Sequence, residues 1–384
     1  MAMGSMALAI DIMLPAFPEI RASMGVAEGS AQVGRLVTAF FLGVAVGQIP
    51  VGLLCDRFGR KPVLRVGMLV YTVAAIASML APNLLVMTIA RFVWGLGSSA
   101  PRVATLAIVR DRYAGSNMAR VMSMIMAIFI LVPVVAPSIG ASLLWFGSWR
   151  IVFGFCATAG LIVFIWAGRL DETLDQANRR PLRIRPVLAA GREVFRHRTT
   201  VMYGLAMTAL MGAFTGYITG AERIFDEGFR VKEWFPAIFG LCAAGMGVAT
   251  FVNSRIVQRV GLRRALTRSI TALTLLSMVL VALAFVTDGT PHLGVFLPLW
   301  VLMASAYGQS MPNFNSAAME PVGAVAGTAA ALLGAFSLAG GSVIGALIDH
   351  AFDGTVRPLV IAFASAALIA VCCLIVTGPK VTRI

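Results

Sequence analysis

Gly52-Leu-Leu-Cys-Asp56-Arg57-Phe-Gly59-Arg60-Lys61-Pro-Val-Leu64 packs one carboxylate, three cations and two glycines between two long apolar runs. A turn so charged between such runs reads as a loop at a membrane surface. The flanking runs approach the ~20 residues that cross a bilayer core. Similar runs recur from residue 1 to residue 377. Of the 384 residues, 59% are hydrophobic and 12% charged, about half the ~25% charge of soluble domains. Mean hydropathy is +0.88. This is the composition of a multi-pass membrane chain, with the lipid bilayer as its first partner.

Twelve spans are expected near 2–19, 33–55, 63–81, 84–108, 119–145, 150–168, 200–221, 235–257, 265–287, 293–313, 322–347 and 357–377. One long hydrophilic stretch divides them six and six. It gives an N-terminal half at 1–168, a basic linker at 169–199 and a C-terminal half at 200–384. The net charge of +14 would point a soluble protein to nucleic acid; here its distribution excludes that partner. With the N-terminus inside, 22 of the 31 cations fall on inner loops, seven on outer loops, and Arg91 and Arg102 within the fourth span. Cation-rich loops stay in the cytoplasm, so both termini are expected there. Nothing before Asp11 resembles a signal peptide, and the chain opens almost inside its first span, so a short tail is expected to precede it.

The halves repeat. Shifted by 202 residues, Asp56–Leu64 falls on Gln258–Leu266, with Arg57 on Arg259, Gly59 on Gly261 and Leu64 on Leu266. Two parallel halves suit a transporter whose site lies between them at mid-membrane.

The stretch Gly52-x-Leu-x-Asp56-Arg57-x-Gly59-Arg60-Lys61-x-x-Leu64 resembles the signature loop of the major facilitator superfamily, between its second and third helices. Asp11-Ile-Met-Leu-Pro15-Ala-Phe-Pro18, Arg91-Phe-Val-Trp94-Gly95-Leu-Gly97, Val109-Arg110-Asp111 and Ala136-Pro137-Ser-Ile-Gly140 are similar to motifs of its twelve-helix drug:proton antiporters, especially the bicyclomycin-resistance (Bcr/CflA-type) exporters. So are Ala326–Gly334 and Phe352-Asp-Gly-Thr355. Two departures stand out: Ala136 and Ala141 replace flanking glycines of the antiporter motif, and Trp94 stands where Gln is common. The resemblance implies an all-α membrane protein with the major facilitator fold, twelve helices in two pseudo-symmetric six-helix halves around a central cavity. It implies a proton-coupled antiporter exporting small amphipathic drugs from a bacterial cytoplasmic (inner) membrane, working as a monomer. The alternative on the same fold is a proton-coupled exporter or importer of one metabolite, such as a sugar or amino acid.

Asp11 lies mid-span, eight residues or about 12 Å from Glu19, and Arg91 lies equally deep from Asn83. Intramembrane charges usually face a partner or a cavity. The two are expected to pair or to share a polar network, either coupling protons to transport or orienting helices 1 and 4. Pro15 and Pro18 should break the first span, and Pro133 and Pro137, with Gly140 in the antiporter-type motif, the fifth. These bends either line a cavity or are absorbed by packing. Gly43-x-x-x-Gly47, Gly212-x-x-x-Gly216-x-x-x-Gly220 and Gly341-x-x-x-Gly345 permit close helix approach; the resemblance makes those of helices 2 and 11 sliding contacts, and spacing alone makes them ordinary packing. Tyr217, Glu222, Tyr307, Gln309 and Asn313 are candidate cavity groups of the second half.

For Gly52, Asp56, Arg57, Gly59, Arg60 and Lys61, with Asp111, the resemblance implies a conformational latch, its Asp56 docking at the start of the eleventh helix near 321–325; the simpler reading is a topology anchor. No Walker loop, dinucleotide fingerprint or zinc-protease motif is present, so no metal, cofactor or enzymatic chemistry is expected and an ion gradient supplies the energy. The five cysteines have no metal-ligand spacing and read as small buried hydrophobes.

Overall fold

Backbone polar groups in hydrocarbon must pair within their own segment, and this chain does so entirely with helices among the described residues. The computed structural model describes residues 2–179, 181–182 and 185–378. Arg180, Arg183, Lys380 and Arg383 of the cation count lie outside the described residues. The helices are α1 (Gly4–Asp11), α2 (Phe17–Ser23), α3 (Arg35–Phe58), α4 (Arg60–Met79), α5 (Leu84–Arg112), α6 (Gly115–Leu144) and α7 (Arg150–Ala167). They continue as α8 (Arg185–Arg196), α9 (Arg198–Arg223), α10 (Phe235–Val260), α11 (Leu262–Val286), α12 (Leu293–Met319), α13 (Ala326–His350) and α14 (Arg357–Thr377).

Among the described residues, eleven helices are long and apolar enough to cross a membrane. The twelfth crossing is α1 with α2, neither of which is long enough alone. The chain divides into two units, Met1–Ile184 and Arg185–Ile384, each with six crossings. Large apolar side chains such as Leu69, Leu85, Ile165, Leu275 and Phe285 are exposed on helix surfaces, as lipid-facing positions require. Between the two sets of crossings, where the sequence reads as linker, α8 forms and packs against α13.

The first span breaks where its prolines dictate, though one turn earlier than the prolines themselves. Pro15 has no N–H to give the carbonyl four residues back, which is that of Asp11. Accordingly α1 ends at Asp11, a 3-10 turn covers Leu14–Ala16, and α2 starts at Phe17 with Pro18 in its first turn. The fifth span behaves differently from expectation. Pro133 and Pro137 both lie inside one continuous α6. Four residues apart, they remove bonds from a single helix face, and the remaining ladder carries the helix through.

Glycines set the closest approaches within each unit. A Cβ at Gly43 would collide with the Phe92 carbonyl oxygen, and one at Gly95 with that of Phe40, so α3 and α5 touch backbone to backbone. In the second unit Gly212 and Gly216 of α9 receive Ile344 and Ile348, while Gly341 and Gly345 of α13 receive Met211 and Thr215. Each small-residue stripe therefore has a packing partner inside its own unit.

The repeat appears in the backbone as well. Gly59 turns α3 into α4 at φ 104°, ψ 164°, and Gly261 turns α10 into α11 at φ 83°, ψ 155°. Both conformations favour glycine, and both sit at the 202-residue offset.

Candidate functional site

Asp11 is the last residue of α1 and only 5% exposed. Its carboxylate makes no hydrogen bond or ion pair with any described residue. Arg91 does not pair with it, so of the two arrangements expected from equal depth the direct ion pair is not the one formed. Arg91, on α5, is fully buried and donates from Nη1 to the Ala9 carbonyl (2.9 Å) and from Nε to the Leu36 carbonyl (3.3 Å). Its guanidinium carbon sits 4.5 Å from the Phe40 ring centroid and 4.7 Å from that of Trp94.

The physical reason is the break at Pro15. Ending α1 at Asp11 leaves the carbonyls of its last turn short of intrahelical donors, and a helix C-terminus attracts a cation. Arg91 takes the Ala9 carbonyl, and Tyr71 Oη donates to the Ser5 carbonyl one turn earlier at 3.0 Å. Trp94 then completes an aromatic cage with Phe40, Tyr71 and Phe153. At a position where glutamine would add polarity, tryptophan supplies a ring face for the arginine. Gly140 of α6 lies against the break from another side: a Cβ there would strike the Ile12 carbonyl oxygen. Asp11, Arg91 and Gly140 thus converge on the broken end of α1, joined through its backbone. Pro133 and Pro137 sit on the same α6.

The charged loop is held by three acids of its own unit. Arg60 is buried, its Nε 2.8 Å from Asp111 Oδ2, its Nη1 3.4 Å from Asp56 Oδ1 and 2.8 Å from the Cys55 carbonyl oxygen. Asp111 also accepts from the Thr173 hydroxyl at 3.2 Å. Glu172 accepts from the backbone N–H groups of Arg60 (2.9 Å), Lys61 (3.2 Å), Thr173 (2.9 Å) and Leu174 (3.0 Å), so it caps α4. Partial burial pushes its carboxyl up, but those four donors outweigh it and hold it below the usual carboxylate range. Gly59 has no room for a Cβ beside that carboxylate. Gly52 has open space around it, and Arg57 points to solvent. Glu172 was hidden from sequence reading because it falls in a stretch that reads as linker.

The candidate cavity groups of the second half separate into four places. Tyr217 and Tyr307 join one aromatic cluster through Phe214, with ring centroids 6.4 Å and 4.9 Å from it, and Trp300 and Phe363 extend that cluster. Asn313 exchanges two hydrogen bonds with Asn253, at 2.8 and 3.1 Å, which ties α12 to α10. Gln309 lines a cavity at the α10–α11 end. Glu222 is buried at the end of α9 beside Arg223. Arg223, expected on an outer loop, is instead buried in an ion pair with Asp349 of α13 and stacked on Phe352 at 4.6 Å. Both partners close apolar spans, which hid their inward direction from the sequence.

Residues 1–346 match the family described as Major Facilitator Superfamily. The chain is 28% identical over 371 residues to the bicyclomycin resistance protein homolog of Haemophilus influenzae, covering 94% of this chain and 90% of the relative. It is 27% identical over 361 residues to multidrug resistance protein D of Escherichia coli, covering 90% and 85%. The solved xylose transporter XylE from E. coli superposes with a TM-score of 0.75 at 12% identity, covering 99% and 96% of the two chains. A broken first helix, a glycine-turned charged loop in each unit and a family match over nine-tenths of the length agree, and the chain belongs to the Major Facilitator Superfamily.

Proposed function

We propose that the chain is a proton-coupled antiporter that exports small amphipathic, drug-like compounds across a bacterial cytoplasmic membrane by alternating access. Family membership makes it a transporter rather than an enzyme. The observation that carries the coupling is the Asp11 carboxylate, buried at a helix break with its nearest candidate counter-ion engaged elsewhere. A lone carboxylate at that depth can bind a proton, and release it when its access to water changes sides. A proton moving down the membrane potential supplies about 2.3 kcal/mol per 100 mV. The relatives named for bicyclomycin and multidrug resistance support the substrate class. The aromatic cluster around Tyr217 and Tyr307 offers π faces that suit planar apolar compounds.

The cation distribution supports both termini in the cytoplasm, and nothing in the reading needs more than a monomer. The Gly52–Lys61 loop with Asp111 acts as a conformational latch whose stiffness comes from Arg60.

The test is a drug-susceptibility panel in an efflux-deficient bacterial host, comparing wild type with Asp11→Asn, followed by pH-driven transport of one protected compound in proteoliposomes. Protection by wild type and loss of uphill transport in Asp11→Asn are expected. Full proton-driven export by Asp11→Asn sinks the coupling role. An unchanged panel with altered uptake of a single metabolite replaces the drug reading with a selective one.

A further inference from the structure

The α10–α11 hairpin repeats the α3–α4 hairpin with its acids removed. In the first unit, Asp56, Asp111 and Glu172 answer the loop's cations. In the second, no carboxylate occurs between Glu233 and Asp288, while Arg255, Arg259, Arg263, Arg264 and Arg268 crowd the turn. None of the five forms an ion pair among the described residues. Arg263 donates to the Gly378 carbonyl at 3.2 Å, and Arg255 stacks on Phe251 at 5.1 Å. Space around Gly261 is open where Glu172 crowds Gly59.

Arg259 and Arg268 instead face a cavity of about 320 Å³ formed by α10, α11 and α12. Arg259 lies two residues before the Gly261 turn. Arg268 lies seven beyond it, about 10 Å along the helix, so the cations occupy the mouth and upper wall. Ile256 lies between the two arginines in depth, Ala272 and Ala306 line the cavity farther in, and Ser269 and Gln309 are the uncharged polar groups of its wall. The arrangement carries its cations over the outer ~10 Å and becomes largely apolar below.

We infer that this cavity binds the headgroup of an anionic phospholipid. Arg259 and Arg268 hold the phosphate, and one acyl chain runs along Ile256, Ala272 and Ala306. Guanidinium groups match phosphate geometry through paired donors, and basic pockets between membrane helices suit anionic headgroups. A free phosphate would satisfy the arginines but leave the apolar wall without a partner. The inference needs only that the chain sits in a bilayer, whatever compound it carries.

The test uses the full chain purified from vesicles of phosphatidylcholine containing phosphatidylglycerol, with native mass spectrometry counting the lipids that stay bound. Wild type is expected to retain phosphatidylglycerol selectively. R259Q/R268Q should lose that retention by about 30-fold, and R268Q alone by about 5-fold. R255Q/R263Q, which leaves the cavity wall intact, should keep it. Thermal unfolding confirms that each variant is folded, and R268Q remains the deciding variant if the double fails. Equal retention by the cavity variants and wild type overturns the site. So does equal retention of phosphatidylcholine. Loss in R255Q/R263Q as large as in R259Q/R268Q reduces the effect to a diffuse surface field and also overturns it. Displacement of the lipid by millimolar inorganic phosphate would make this a free-anion site instead.

Discussion

Arg91 holds the first helix by the Ala9 carbonyl, 2.9 Å from its Nη1, and leaves the Asp11 carboxylate without a counter-charge among the described residues. The two roles expected of one ion pair are thereby divided. Arg91 is a helix-end anchor within an aromatic cage, and Asp11 is left available for proton exchange. A breaking proline makes this division possible, because it supplies the arginine with a backbone acceptor that competes with the acid.

A double-mutant cycle separates these roles. Arg91→Ala removes two charge-assisted hydrogen bonds and the ring contacts, which should cost about 3 kcal/mol or more of stability. Asp11→Asn removes no partner and relieves the burial of a charge, so it should not destabilise the fold. The two effects should add, with a coupling below about 0.5 kcal/mol. Thermal unfolding of the four proteins in detergent checks this; a coupling above about 1 kcal/mol would mean that the acid and the arginine are paired.

Gly140 should be the least replaceable residue of the antiporter-type motif. Its missing Cβ lets α6 rest on the Ile12 carbonyl, next to Asp11. Gly140→Ala should destabilise by about 1–3 kcal/mol through overpacking and slow transport, because the break in α1 has to move aside. Ala141→Gly should be mild in both assays, since Ala141 is partly exposed. Equal behaviour of the two variants would remove this role from Gly140.

Much of this was legible in residue order. The charged loop, the 202-residue repeat and the glycines at its turns read directly, because polarity and φ > 0 leave strong local marks. Pro15 and Pro18 announced a break, although not that it would end α1 on Asp11 itself. Equal depth of Asp11 and Arg91 was also readable, but depth fixes neither azimuth nor the competition from a backbone carbonyl. Glu172 and the Arg223–Asp349 pair were missed for a common reason. A charge at the end of an apolar span looks solvated until tertiary packing turns it inward.

Glu172 gives stability a defined pH dependence. Its folded-state carboxyl is held below the usual range, so its contribution is complete above the unfolded value, near 4.3. That contribution disappears as pH falls through the lower folded value. Glu172→Ala should therefore cost about 1–2 kcal/mol at neutral pH, as loss of a helix cap does. The gap to wild type should stay flat down to about pH 5 and close below about pH 4. Thermal melts of both proteins across that range are the check, and a gap that widens on acidification would contradict the capping role.

The Arg223–Asp349 pair should behave as a buried couple whose members are worse apart than absent. Each side chain is 3% exposed, so removing one takes the ion-pair partner from a charge where water cannot reach. Arg223→Met or Asp349→Leu alone should cost about 3–5 kcal/mol, while the double variant should recover most of that loss. The Phe352 ring stacked on Arg223 keeps the recovery short of complete, because methionine forfeits the cation–π contact, worth about 0.5–2 kcal/mol. Arg223→Lys provides a second reading: a point charge can follow Asp349 but cannot also lie flat on Phe352, so its loss should fall between wild type and Arg223→Met. Unfolding midpoints for the set decide the matter. If the double variant were as unstable as the sum of the singles, the two residues would be acting independently, and α9 and α13 would be held by their glycine contacts alone.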